Sequence, residues 1–260
     1  AFSCLYILLT TTITFYMSQR EHSSRAINII KLFREALSGS EQEYTSGSIN
    51  RAIFMLSVPM ILEMVMESVF AVVDVFFVSK LGVDAVATVG LTESMLTLIY
   101  SIAMALGMGA TAMVARRVGE KNIDGASHAG IQALYAGLFF SIVISAIGIF
   151  FAKDLLRAMG GSDALVNNNY HYTQILMGGN IVIMMLFLIN GVFRGAGDAT
   201  IAMRSLWIAN ILNIILCPTL INGIGPIPAF GLKGAAMATT IGRGVGVCYQ
   251  LYHLFNGKGI

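Results

Sequence analysis

Residues 51–81 read RAIFMLSVPMILEMVMESVFAVVDVFFVSKL, and this stretch decides the fold. Between Arg51 and Lys80 it carries no basic residue. A helix rises about 1.5 Å per residue, so roughly 20 apolar residues cross a hydrocarbon layer of about 30 Å. Three carboxylates interrupt the run: Glu63, Glu67 and Asp74. Spacings of four and seven residues place all three on one helical face. Such a face cannot meet lipid and has to look into a bundle or a water-filled cavity. Pro59 lies just upstream, where a kink is expected.

Working outward, five further apolar runs follow. The six predicted spans are Ala52–Val78, Val86–Val114, Ser127–Ala152, Tyr170–Val192, Ile201–Ile221 and Leu232–Phe255. The strands of a membrane barrel alternate polar and apolar over about 10 residues. These runs are longer and apolar all round, so the fold class is an all-α membrane protein, a six-transmembrane-helix bundle. Composition agrees, with 56% hydrophobic and only 12% charged residues in 260. Soluble domains carry about a quarter charged residues.

Residues 1–47 read as an amino-terminal extension to a lobe that spans 48–260. AFSCLYILLTTTITFYM is apolar but short; a partial span, an interfacial helix, a signal-like segment and sequence upstream of the real start all remain open. The chain begins with Ala rather than Met, so its true start is expected further upstream. AINIIKLFREAL suits an amphipathic helix, and SGSEQEYTSGS a flexible lead-in. Lys and Arg set the orientation. With residue 51 inside, the inner segments hold Arg20, Arg25, Lys31, Arg34, Arg51, Arg116, Arg117, Lys121, Arg194, Arg204 and Lys258, against Lys80, Lys153, Arg157 and Lys233 outside. Both ends of the six-helix core are therefore expected in the cytoplasm.

A net charge of +2 suggests no nucleic-acid partner. Cys4, Cys217 and Cys248 lack CxxC spacing, and His22, His128, His171 and His253 lack metal-ligand spacing. GMGATAMVARRVG, GAGDA and GRGVG contain GxG but follow no strand, so they read as small residues at helix contacts.

Beyond the first span, Glu93 sits near the start of the second, where it can reach the interface, and Arg243 sits within the sixth. Either ionisable group is costly in hydrocarbon. In the fifth span Asn213 and Cys217 share a face, and Pro218 frees the carbonyl of residue 214, as in the broken helices that hold cations. In the sixth, Thr239 and Arg243 lie one turn apart. A sequestered carboxylate can load and release a proton or Na⁺ when water reaches it from alternate sides.

IFMLSVPMILEMVMESVFAVVDVFFVSKLG, VARRVGEKNIDGA and FRGAGDATIAMRSLWIANILNIIL resemble, in order, the first helix, the second-to-third-helix loop and the fourth-to-fifth-helix connection of the multidrug and toxic compound extrusion (MATE) family. The resemblance runs from about residue 48 to the end. It implies one lobe of a twelve-helix transporter that exports drugs or organic cations in antiport with H⁺ or Na⁺ from the plasma membrane, the bacterial inner membrane. Its partners are then small amphipathic or cationic substrates, the lipid bilayer and a missing carboxy-terminal lobe. No cofactor is expected beyond the coupling ion, and no enzymatic reaction. Carried across, the family's cation site falls on Asp74, Asn213 and Thr239, with any Na⁺ at Asp74 and Asn213. Cys217 stands where many members have Asp. Glu63, Glu67 and Arg243 are cavity-lining candidates.

Arg243 needs a counter-ion, and Asp74 is the expected one. The competing reading for Arg243 is snorkelling to an interface or bonding to backbone carbonyls. The competing function is a lipid-linked sugar or polysaccharide flippase of the same broader superfamily, favoured by Arg243 and disfavoured by the acidic first helix. A membrane enzyme lacks a nucleophile or metal motif to support it. A structural subunit has no need of buried carboxylates.

Overall fold

The computed structural model describes residues 31–38 and 49–256. Its helices are α1 (residues 31–38), α2 (Ile49–Ser79), α3 (Val83–Gly119), α4 (Ile123–Ala158), α5 (Asp163–Gly178), α6 (Asn180–Gly195), α7 (Ala199–Asn222) and α8 (Leu232–Phe255). No strand occurs among the described residues. The first 30 residues, the lead-in at 39–48 and Lys258 lie outside them.

The expected six columns are present, one of them in two pieces. The fourth span is a pair of helices, α5 and α6, that meet at Gly179. The apolar run concealed this junction, because Gly179 and Asn180 interrupt geometry without interrupting hydropathy. Asn180 repairs the junction. Its side-chain amide donates to the carbonyls of Ser141 and Met177 and to the Ser145 hydroxyl. Four columns are long and apolar enough to cross a membrane: α3, α4, α5 with α6, and α7. The carboxylates of α2 and the small and polar residues of α8 lower those two below that mark.

Both internal prolines are absorbed without a break. α2 runs unbroken through Pro59, and α7 runs unbroken through Pro218 to Asn222. The broken helix expected at Pro218 is therefore not formed; α7 continues through it to Asn222. The one non-helical residue inside a helix is Phe151 in α4 (φ −115°, ψ 15°), at the expected end of the third span.

Helix starts follow side-chain chemistry. Asn122 caps α4 by accepting from Gly125 N, Ser162 caps α5, and Asp198 caps α7 by accepting from Thr200 N and Ile201 N. Short connections make sequential columns antiparallel. Gly82, Gly160 and Gly197 turn the chain at φ 105°, 89° and 93°, where other residues are strained. At the end of α3, Arg116 and Arg117 both bond to Glu120 and hold its carboxyl below the usual range.

The lobe packs as pairs: α7 on α8, α3 on α6, α4 on α5, and α2 on α7. Small residues permit this closeness. A Cβ on Gly191 would stand 2.5 Å from the Gly107 carbonyl oxygen, and the Thr111 hydroxyl donates to Gly191 O at 2.9 Å. α1 belongs to the same body. Ala36 packs with Met55 and Val58, Glu35 pairs with Arg51, and Arg204 donates to the carbonyls of Leu37 and Ser38. Of the segment AINIIKLFREAL, expected as an amphipathic helix, residues 31–37 are described, and they dock on α2 and α7.

Candidate functional site

α2 buries Glu63 and Asp74, in two different places, and leaves Glu67 partly exposed. Glu63 is buried and meets Arg194, whose Nη2 lies 2.5 and 2.6 Å from its two oxygens. Asn190 also donates to Glu63, and Gln250 links Asn190 to the Ser205 hydroxyl. Arg194, an inner-segment charge by sequence, sits in the last turn of α6 and reaches across to α2. This cluster joins α2, α6, α7 and α8 and stands apart from the pocket described next.

Eleven residues further along α2, Asp74 is only 8% exposed. It lines a small pocket together with Glu93, Tyr100, Tyr172, Thr239 and Arg243. Its carboxylate accepts from the Cys217 thiol at 3.6 Å. One turn before Cys217, the Asn213 amide donates to the Thr239 hydroxyl at 3.0 Å, and that hydroxyl donates to Ala235 O at 3.1 Å. Cys217 and Asn213 are fully and almost fully buried. The α7–α8 contact therefore gathers Asp74, Cys217, Asn213 and Thr239 around one place. Asn213 Oδ1 is buried and accepts no hydrogen bond from the described residues.

Arg243 does not pair with Asp74. Its Nη2 lies 2.8 Å from Glu67 Oε1, and its Nη1 donates to the Tyr100 hydroxyl at 3.1 Å. The helix crossing explains the correction. Position 243 on α8 sits level with Glu67, and Asp74 is seven residues, or about 10 Å of helix rise, beyond it. Phe70, one turn on from Glu67, offers its ring face at 5.3 Å from the guanidinium carbon. Arg243 is 4% exposed and bonds to side chains, so neither snorkelling nor carbonyl binding describes it. Carboxylate, phenol and ring together offset the cost of carrying this charge inside the lobe.

Glu93, an exposed residue near the start of the second span, also opens onto the Asp74 pocket. Tyr100 and Tyr172 join it there. Glu93 and Tyr100 are seven residues apart on α3, the same spacing that betrayed the α2 carboxylates, so a polar heptad on one span was the available signal. Tyr172 carried none.

The fold is that of a multi-pass helical membrane domain with charges enclosed between its columns. The chain belongs to the MatE family, whose model matches residues 59–219. It is 29% identical over 201 residues to the probable multidrug resistance protein YoeA of Bacillus subtilis, covering 77% of this chain and 43% of that protein. It is 30% identical over 194 residues to the FAD transporter of Shewanella oneidensis, covering 75% and 43%. Among solved structures it superposes on an outward-facing multidrug resistance MATE transporter of the MOP superfamily with TM-score 0.75 and 32% identity, covering 82% of this chain and 46% of that one. The chain thus spans a little under half the length of these relatives. The six-helix lobe, its family and its multi-pass character are the points on which sequence, fold and relatives meet.

Proposed function

We propose that this chain forms the amino-terminal lobe of a secondary exporter that moves drugs or organic cations out of the cell in antiport with H⁺ or Na⁺, with Asp74 as the coupling carboxylate. One observation carries the reading. Asp74 is sequestered from lipid, opens onto a pocket inside the lobe, and has Cys217, Asn213 and Thr239 gathered about it. A carboxylate so placed gains or loses a proton or cation as water reaches it from one side and then the other. Cys217 supplies a neutral thiol where an acid would double the charge, which leaves Asp74 as the titrating member of the α2–α7 contact.

The remainder of the assignment follows from this role. The lobe sits in the plasma membrane, in bacteria the inner membrane, with both ends of its core in the cytoplasm, as the basic turn at 116–121 favours. A companion carboxy-terminal lobe completes the central cleft. Efflux of a fluorescent organic cation from cells expressing the full-length gene product, with and without a proton or Na⁺ gradient, tests the proposal. Gradient-driven efflux that Asp74→Asn abolishes is the expected result; efflux unaffected by Asp74→Asn refutes it.

Arg243 in the pocket favours a second reading, an exporter of anionic or lipid-linked substrates. The relative named as an FAD transporter makes flavin dinucleotide a second compound to assay. Flavin or lipid-linked sugar moved in preference to the organic cation would select this reading.

A further inference from the structure

We propose that the seam between α1 and α7 binds the headgroup of an anionic phospholipid through Lys31, Arg34 and Arg204, with Trp207 alongside them in the bilayer rim. The inference needs only a lobe that lies in a membrane and is independent of what the lobe carries.

Helical period divides α1 into two faces. Ala36 is buried against Met55 and Val58 of α2, and Leu32 and Leu37 pack beside it. Lys31, Arg34 and Ser38 line the opposite face and are exposed. Phe33 lies at the margin between the faces and is also exposed. A basic face with an aromatic ring at its edge suits the layer where headgroups meet acyl chains.

Arg204 ties this helix to α7. Its Nη2 donates to the carbonyls of Leu37 and Ser38 at 3.1 and 3.0 Å. A helix leaves its last carbonyls without internal donors, so the guanidinium sits where α1 needs one. The side chain is exposed, and its Nε and Nη1 donate to nothing among the described residues. Both remain available to phosphate oxygens. Trp207, three residues further along α7, shares the face of Arg204 and is exposed. Tryptophan favours the bilayer rim, where its ring meets acyl chains and its N–H meets polar groups.

The seam is also short of acid. Glu35 is paired with Arg51 at 2.6 Å, whereas Lys31, Arg34 and Arg204 pair with no carboxylate among the described residues. An anionic phosphodiester supplies the missing charge at headgroup level. A zwitterionic lipid brings its own ammonium and is the poorer partner. Because α1 grips α2 as well as α7, an occupied site ties the starts of both helices to one leaflet.

Trp207 is the single tryptophan in the 260 residues and serves as reporter. The purified full-length gene product, with any tryptophan outside these residues changed to phenylalanine, is reconstituted into phosphatidylcholine vesicles. Quenching of Trp207 is followed as brominated phosphatidylglycerol or brominated phosphatidylcholine is increased. A basic residue near an anionic surface is worth about a fivefold change in partition. Half-quenching by the glycerol lipid is therefore expected at a mole fraction at least about tenfold lower than by the choline lipid. Lys31→Gln with Arg34→Gln is expected to cut that preference by at least about fivefold and to leave choline-lipid quenching unchanged. Lys31→Arg with Arg34→Lys is expected to retain the preference, as is Lys121→Gln in the turn before α4. Equal quenching of the natural protein by both lipids, or quenching by neither, overturns the inference. So does loss of the preference in the charge-retaining variant, or an equal loss in Lys121→Gln, which would report surface charge at large. Inorganic phosphate at matched ionic strength is expected to leave the preference in place; its loss there would mark a free-anion site and overturn the lipid assignment.

Discussion

Replacing Glu63 by alanine strands the Arg194 guanidinium between α2 and α6. The two side chains are 11% and 25% exposed, and they meet through both carboxylate oxygens. Breaking a buried pair by removing one partner costs about 3–5 kcal/mol. Arg194 retains partial access to solvent, which lowers the expected loss for Glu63→Ala to about 2–4 kcal/mol. Asn190 loses an acceptor in the same substitution, which keeps the figure from falling further. Glu63→Gln keeps an oxygen for Asn190 and is expected to cost about 1–2 kcal/mol. Removing both charges, as Glu63→Ala with Arg194→Met, leaves no unpaired ion and is expected to return to within about 1 kcal/mol of the natural protein. Reversible SDS titration of the purified protein, followed by tryptophan fluorescence from Trp207, measures all three together with the single variant Arg194→Met. A double variant whose loss equals the sum of the two single losses would refute the claim that Glu63 and Arg194 act as one unit.

Four other outcomes follow from particular contacts. Gly191→Ala forces α6 away from the Gly107 carbonyl and is expected to cost about 1–3 kcal/mol by SDS titration, whereas Gly109→Ala, which meets nothing within 4 Å, is expected to be neutral or slightly stabilising. Asn180→Leu removes three hydrogen bonds at the α5–α6 junction and is expected to cost about 2–3 kcal/mol in the same titration; an unchanged midpoint would show that the junction holds without them. Lys121 takes φ 58° in the turn before α4, so Lys121→Gly is expected to stabilise by about 0.5–1 kcal/mol, read as a raised SDS midpoint. In intact cells, a cysteine placed at Lys121 is expected to resist an impermeant thiol reagent and one placed at Gly160 to react; the reverse pattern would invert the orientation.

Legibility differed from residue to residue. The spacing of Glu63, Glu67 and Asp74 on α2 was enough to put all three on one face, which buries Glu63 and Asp74 and leaves Glu67 partly exposed, because helical period alone decides which side chains share a face. It was not enough to assign their partners. Arg243 met Glu67 rather than Asp74, and Glu63 met Arg194, because pairing depends on the height at which helices distant in sequence cross. Gly179 hid a helix junction for the related reason that hydropathy measures composition and not backbone geometry.

From the linear chain alone came the membrane character, the six columns, the family resemblance and the set of buried ionisable groups. Each of these is written locally, in runs of apolar residues about as long as the bilayer is thick and in short motifs. The tertiary structure decided which charges neutralise one another, that Glu93 and two tyrosines join Asp74 at one pocket, and that α1 docks against α2 and α7. Those facts arise from contacts between segments scores of residues apart, whose relative height and rotation are set by the close packing of small residues along α3, α6, α7 and α8.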